Sequence, residues 1–304
     1  MTGGLAIGLY DGSNGEYILN SGKVSTVDMT VSDSGKGVFT QNNGEVEING
    51  TLFIARGYSG SNPGDGTYNL KDGSLKTGSV WISPGGTGTF NQSGGIHTVS
   101  SNLTIDSGTN GSGTYNMMGG ILNAVNIINK GAFNLTGGAV SANIENRGTF
   151  SGSGTFNGLV TNYGTLSPGN SPGTLNIDGD YTQDSSGILN IELEGYIQGT
   201  EYDFLNITGD ATLSGKLDVD LLGTFDPDMG SIFNIIHAKG EFTGAFTSWD
   251  LPTLNGGRIW QIAYDYDSDD VFLKVAPVPE PSTLLLLGSG LLGVGFLRKR
   301  FKKN

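Results

Sequence analysis

Between residues 10 and 163 the chain repeats itself, and that repetition restricts its fold more than any other feature. The unit reads Gly, any residue, an aromatic, any residue, then Leu, Gln or Met; a glycine-containing turn and an alternating stretch follow. It opens, in stricter and looser forms, at Gly15-Glu-Tyr17, Gly37-Val-Phe39, Gly66-Thr-Tyr68, Gly88-Thr-Phe90, Gly113-Thr-Tyr115, Gly131-Ala-Phe133 and Gly148-Thr-Phe150. Successive aromatics lie 22, 29, 22, 25, 18 and 17 residues apart. A period near 20 marked by glycine turns is that of a solenoid whose coils each supply short strands. The longer intervals contain residues 57–65 and 106–112, turn-residue clusters that read as loops inserted at coil corners.

Within a unit the side-chain period is two. Phe133 and Leu135 share a face and Asn134 takes the other, and the same register pairs Tyr68 with Leu70, Phe90 with Gln92 and Tyr115 with Met117. After the turn, Val24, Val46, Leu75, Leu122 and Val140 are the next core positions. Stacking equal positions about 4.8 Å apart predicts an aromatic column inside. It also predicts an amide ladder of Asn69, Asn91, Asn116 and Asn134 outside. The fold expected is all-β: a right-handed parallel β-helix with a β-rich C-terminal cap, followed by one short hydrophobic helix. A β-propeller fits less well, because a blade needs about 40 residues and four strands.

Composition agrees. Glycine accounts for 52 of 304 residues and only 15% of residues are charged. No G-X-Y period is present, which excludes collagen, and recurring β-branched and aromatic residues argue against disorder. The net charge is −13, and removing the five cations of the C-terminal tail leaves −18. So acidic a body argues against nucleic acid or an anionic membrane as its partner. With no cysteine there is no disulfide framework, thiolate metal site or cysteine nucleophile.

At Gly164-Thr-Leu-Ser-Pro-Gly-Asn-Ser-Pro-Gly-Thr-Leu-Asn-Ile177 paired proline turns interrupt the repeat, which predicts a reset of register. Beyond them, strands are expected over residues 188–193, 204–207, 217–222, 232–236, 260–264 and 271–275. The organisation read from this is repeats over 1–163, the end and cap of the β-helix over 164–275, and a separate tail over 276–304.

That tail opens with Pro277-Val278-Pro279-Glu280-Pro281, where three prolines fix φ and remove three amide donors. Residues 283–297 carry no charge and can form one helix about 22 Å long, short of the roughly 30 Å hydrocarbon core. Arg298, Lys299, Arg300, Lys302 and Lys303 follow as a basic stop-transfer tail. The formal G-x-G-x-x-G at residues 288–293 follows no strand and has no acidic partner downstream, so dinucleotide binding is rejected. The sequence Val278-Pro279-Glu280-Pro281-Ser282-Thr283, the apolar run and the basic end together resemble the PEP-CTERM sorting signal of exopolysaccharide-producing Gram-negative bacteria. The resemblance implies export, transient inner-membrane retention through the C-terminal helix, and cleavage near Pro279-Glu280-Pro281 by an exosortase. Residues 164–275 resemble the final β-helix segment of autotransporter passengers and PEP-CTERM β-helix proteins, with 209–220 and 265–273 as the nearest matches. No translocating barrel follows, so self-transport is not expected. Met1-Thr-Gly-Gly-Leu-Ala-Ile-Gly-Leu-Tyr10 has no Lys or Arg and too short an apolar run for a signal peptide. An exported protein is therefore expected to begin further upstream.

Candidate chemistry is sparse. His97, on a repeat strand, and His237, at a strand end, read as surface or edge histidines. Glu45 and Glu47 share a face about 7 Å apart, within reach of a carboxylate-pair mechanism, yet inward Val46 and Ile48 make a solvated acidic face the simpler account. The cations of the repeats are Lys23, Lys36, Arg56, Lys71, Lys76, Lys130 and Arg147, none at a fixed repeat position beside two acids, as a polysaccharide lyase would need. Asp265, Asp267, Asp269 and Asp270 could hold a calcium ion or simply form a hairpin turn. No other cofactor is implied. The function expected is that of an exported cell-surface or extracellular-matrix protein, structural or adhesive in a biofilm, and not an enzyme. The alternative is a β-helix that binds or degrades extracellular polysaccharide.

Overall fold

The computed structural model describes residues 4–57, 63–106 and 111–278. Among them every regular element is a strand. The protein is all-β and is built on two long sheets, of eleven and eighteen strands, whose neighbours are parallel up to the final hairpin. That is the arrangement of a β-solenoid.

Each coil contributes three short ladders. The first holds the repeat aromatics, as in Asp65–Leu70, Thr87–Gln92 and Gly113–Met117. The larger sheet wraps the other two sides, because strands such as Glu45–Ile54 and Ile96–Ile105 change register midway, between Ile48 and Thr51 and between Val99 and Leu103. Two glycine columns make the corners. Between the first and second ladders Gly22, Gly44, Gly73, Gly95, Gly120 and Gly138 hold φ from +66° to +96°, a conformation that suits only glycine without strain. At the opening of the unit, Gly66 lies so close to the neighbouring coil corner that a Cβ would stand 2.4 Å from the Val31 carbonyl oxygen.

The core is a set of columns running along the axis. Tyr17, Phe39, Tyr68, Phe90, Tyr115, Phe133 and Phe150 form one continuous aromatic column. From Tyr17 to Tyr115 the rings lie parallel, with centroids 4.6–5.0 Å apart; at Phe133 and Phe150 they tilt. Outside the same ladder the expected amide ladder is present. Asn91 donates to Asn69 at 2.9 Å, Asn116 to Asn91 at 2.8 Å and Asn134 to Asn116 at 2.8 Å.

The proline turns near residue 170 do not reset the register. Leu166 pairs with Phe150 before them and Ile177 with Phe156 after them, so the ladders continue and the added residues only enlarge a corner. Parallel coils run on to Phe242–Gly244 and Ser248–Asp250. Then Arg258–Asp265 and Asp270–Pro277 form an antiparallel hairpin, which pairs with Ile232–Ala238 and covers that strand's outer edge. Arg258 fastens the hairpin through Asp226 at 2.5 Å.

Candidate functional site

The residues singled out from the sequence fall into separate places. Lys23, Glu45, Glu47 and Lys76 come together on the second ladder, because neighbouring coils set Lys23 opposite Glu45 and Glu47 opposite Lys76. Lys23 Nζ lies 2.7 Å from Glu47 and 3.5 Å from Glu45, and Lys76 Nζ is 3.6 Å from Glu45. A lysine therefore does stand beside two acids, contrary to the expectation from spacing. Loop lengths that differ from coil to coil hid this neighbourhood. The hydrogen bond from Lys23 holds the Glu47 carboxyl below its ordinary range and raises the Lys23 ammonium in return. Both groups are thereby kept ionised, which suits an ion-paired surface better than proton transfer.

His97 is corrected outright. It is fully buried, not at an edge, and its ring stacks on Phe90 with centroids 4.9 Å apart. Tyr115 gives its one hydroxyl proton to Gln92 Oε1 at 2.6 Å, so His97 Nδ1, 3.1 Å from that hydroxyl oxygen, must donate. Nε2 is left as the acceptor for Thr77 Oγ1 at 3.4 Å. Burial depresses the imidazole to about 3, so it is neutral at every ordinary pH. It packs the core and is unavailable to substrate. His237 is half-exposed and meets Asp270 at 3.0 Å.

The four aspartates belong to the terminal hairpin. Asp265 Oδ1 accepts the amides of Asp267 and Ser268 at 3.1 and 3.3 Å, and these bonds hold its carboxyl below the ordinary range. Asp269 adopts φ +56° at the turn. Asp270 accepts from His237 and from Asn234, the latter at 2.8 Å. Among the described residues no three His, Asp or Glu side chains are placed to hold a metal ion.

Sequence reasoning missed two things. One is a second amide ladder, wholly buried: Asn129 donates to Asn146 and Asn146 to Asn162, both at 2.7 Å. The recurring Asn129-Lys-Gly, Asn146-Arg-Gly and Asn162-Tyr-Gly was its visible signal. The other is a cleft of about 530 Å³ at the C-terminal end, lined by Phe246, Trp249, Leu251, Trp260, Tyr264 and Lys274 among others. Trp249 pairs with Leu217 and so occupies the core position of its ladder, but among the described residues no coil stacks on it and it is 59% exposed. Trp260 Nε1 donates to the Pro252 carbonyl at 3.0 Å, and Tyr264 accepts the Phe246 amide at 3.1 Å. These bonds fix the walls of the cleft. A concave, mostly apolar site with a few polar groups is the usual form of a small-ligand pocket.

Of the tail, Ala276, Pro277 and Val278 lie within the described residues: the first two end the strand Asp270–Pro277, and the Val278 amide donates to Gly257 at 2.9 Å. Pro279, Glu280, Pro281, Ser282, Thr283, the apolar run 283–297 and the basic residues lie outside them. No helix among the described residues is long and apolar enough to cross a membrane. Residues 277–300 match the family described as the PEP-CTERM protein-sorting motif. No curated protein matches the chain. The motif implies an exported protein that is sorted to the cell surface and processed by an exosortase.

Proposed function

We propose that the protein is a structural or adhesive, non-catalytic component of the surface or extracellular matrix of a Gram-negative bacterium. Its body is a right-handed parallel β-helix, the hand favoured for crossovers between parallel strands. It is held briefly at the inner membrane by its tail and released by exosortase cleavage near Pro279-Glu280-Pro281. The match of residues 277–300 to the sorting motif carries this reading. An acidic body assembled from stacked coils supports it.

The test is the mass of the mature protein from isogenic cells with and without the exosortase. Cleavage is expected only where the enzyme is present, with the new C-terminus close to Pro279-Glu280-Pro281. An intact tail in exosortase-positive cells defeats the proposal.

The Trp249 cleft favours a second reading, in which the protein also binds a glycan. Indole and phenol faces with Gln261 and Lys274 beside them offer a pyranose ring an apolar platform and polar contacts. Trp249→Ala is expected to abolish binding across a polysaccharide array and to leave the melting temperature nearly unchanged, since the side chain is already more than half exposed. Equal binding by wild type and variant would remove this reading.

A further inference from the structure

The outer surface of the aromatic ladder differs from the other two sides of the same coils. Its outward positions read Thr67 and Asn69, Thr89 and Asn91, Thr114 and Asn116, Ala132 and Asn134, Thr149 and Ser151, Thr165 and Ser167 in six successive strands. Register is unbroken across all six, with no bulge. The outward row of the third ladder, by contrast, runs Phe53, Trp81, Thr104, Ile128 and Glu145. That of the second contains Glu45, Glu47 and Lys76. The backbone is common to all three sides, so uniformity is not something the coil demands.

The two rows form a regular lattice. Neighbouring strands are about 4.8 Å apart, and positions two residues apart on a strand are separated by about 6.7 Å. Side chains from Thr67 to Thr165 are mostly half-buried and do not project. The Asn amides are locked in one orientation by the ladder, and the line is extended at both ends. Asn69 donates to Thr40 at 3.3 Å, and Ser151 donates to Asn134 at 3.0 Å. Each ladder bond uses one amide hydrogen of its donor, so on Asn69, Asn91 and Asn116 the second hydrogen recurs beside a threonine hydroxyl and methyl.

Charge narrows the class of ligand. The six strands carry no charge at these positions, although the protein is acidic; Lys36 and Asp65 lie at one margin and Lys216, Asp218 and Asp250 beyond the other. A mineral or an acidic polymer would require charges here. No aromatic stands in these two outward rows to stack a sugar ring. The complement is a neutral, hydrogen-bonding lattice whose repeat is close to the strand spacing. Hexagonal ice has such a repeat along its a axis. We propose that this Thr/Asn face binds the surface of ice, its methyls and hydroxyls ordering water into register with the crystal.

The full chain is to be assayed for adsorption into growing ice and for shaping of ice crystals. Thr114→Tyr places a bulky ring in the middle of the lattice, on a strand where tyrosine is well tolerated. Thr182→Tyr makes the same change on the third ladder, at an exposed position. Wild type and Thr182→Tyr are expected to adsorb and to shape crystals, and Thr114→Tyr to lose most of both. If Thr114→Tyr melts early, Thr149→Tyr, at an exposed position of the same row, is the blocking variant. The proposal is overturned if folded wild type stays in the liquid, if the two faces are equally sensitive, or if the Thr/Asn face retains crystalline cellulose or chitin and ignores ice.

Discussion

Phe90→Ala should lower the unfolding free energy by about 3–5 kcal/mol, at or near the largest loss any single core truncation in this chain can produce. Phe90 is fully buried and has ring neighbours on both sides: Tyr68 at 5.0 Å, Tyr115 at 4.6 Å, and His97 at 4.9 Å. Each aromatic pair contributes roughly 0.5–1.5 kcal/mol beyond burial, and the cavity left behind adds to the loss. Coils touch only their neighbours, so the defect weakens one interface between two stacks and should reduce cooperativity as well. Urea unfolding followed by tyrosine and tryptophan fluorescence measures both effects. Tyr17→Ala is the internal control: that ring is 36% exposed and stacks on Phe39 from one side, so its loss should be less than half as large. Equal effects at the two positions would contradict the column as the source of stability.

The second large effect is a dependence on pH that the wild type conceals. His97 is depressed by burial from 6.5 to about 3, so its contribution to stability is whole above pH 6.5 and is lost as the pH falls toward 3. Asp203 behaves oppositely. Burial raises its carboxyl from 3.8 to about 7, against the pull of two amides, from Gly173 at 2.7 Å and Glu192 at 2.8 Å. Its contribution is whole below pH 3.8 and is lost as the pH rises through about 7. Between roughly pH 4 and 6.5 the two slopes, each near 1.4 kcal/mol per pH unit, oppose one another. Relative to wild type, His97→Phe should gain stability on acidification over that range, and Asp203→Asn should lose it. Parallel curves for wild type and both variants would show that neither group titrates as its burial requires.

Much of the fold was legible in the chain because glycine turns and a period of two leave little choice. The columns through Phe90 and Asn91, and core positions such as Val46, Leu75 and Leu122, follow from phase alone. The proline turns at 164–177 misled, because a change in local composition was taken for a change in pairing. Leu166 keeps the place of Phe150. Buried polar residues were invisible for a related reason. Asn129, Asn146 and Asn162 look like surface residues singly, and only stacking turns them into a hydrogen-bonded interior line. His97 was misplaced by the same habit of sending polar groups outward. The cluster of Lys23, Glu45, Glu47 and Lys76 depends on which residues meet between coils, which irregular spacings of 22 and 29 residues obscure.

The direction of the ladder hydrogen bonds has a mechanical consequence. In a parallel solenoid they lie along the long axis, and the first and last coils here occupy opposite ends of the stack. Tension applied between those ends would load the bonds of one interface at a time, peeling a coil before its neighbour feels the full force. A released coil of about 20 residues can lengthen to roughly 70 Å, where it had occupied about 4.8 Å of the stack. Held at a cell surface, such a body would yield stepwise under drag and shorten again as coils restack, acting as an extensible tether rather than a stiff post.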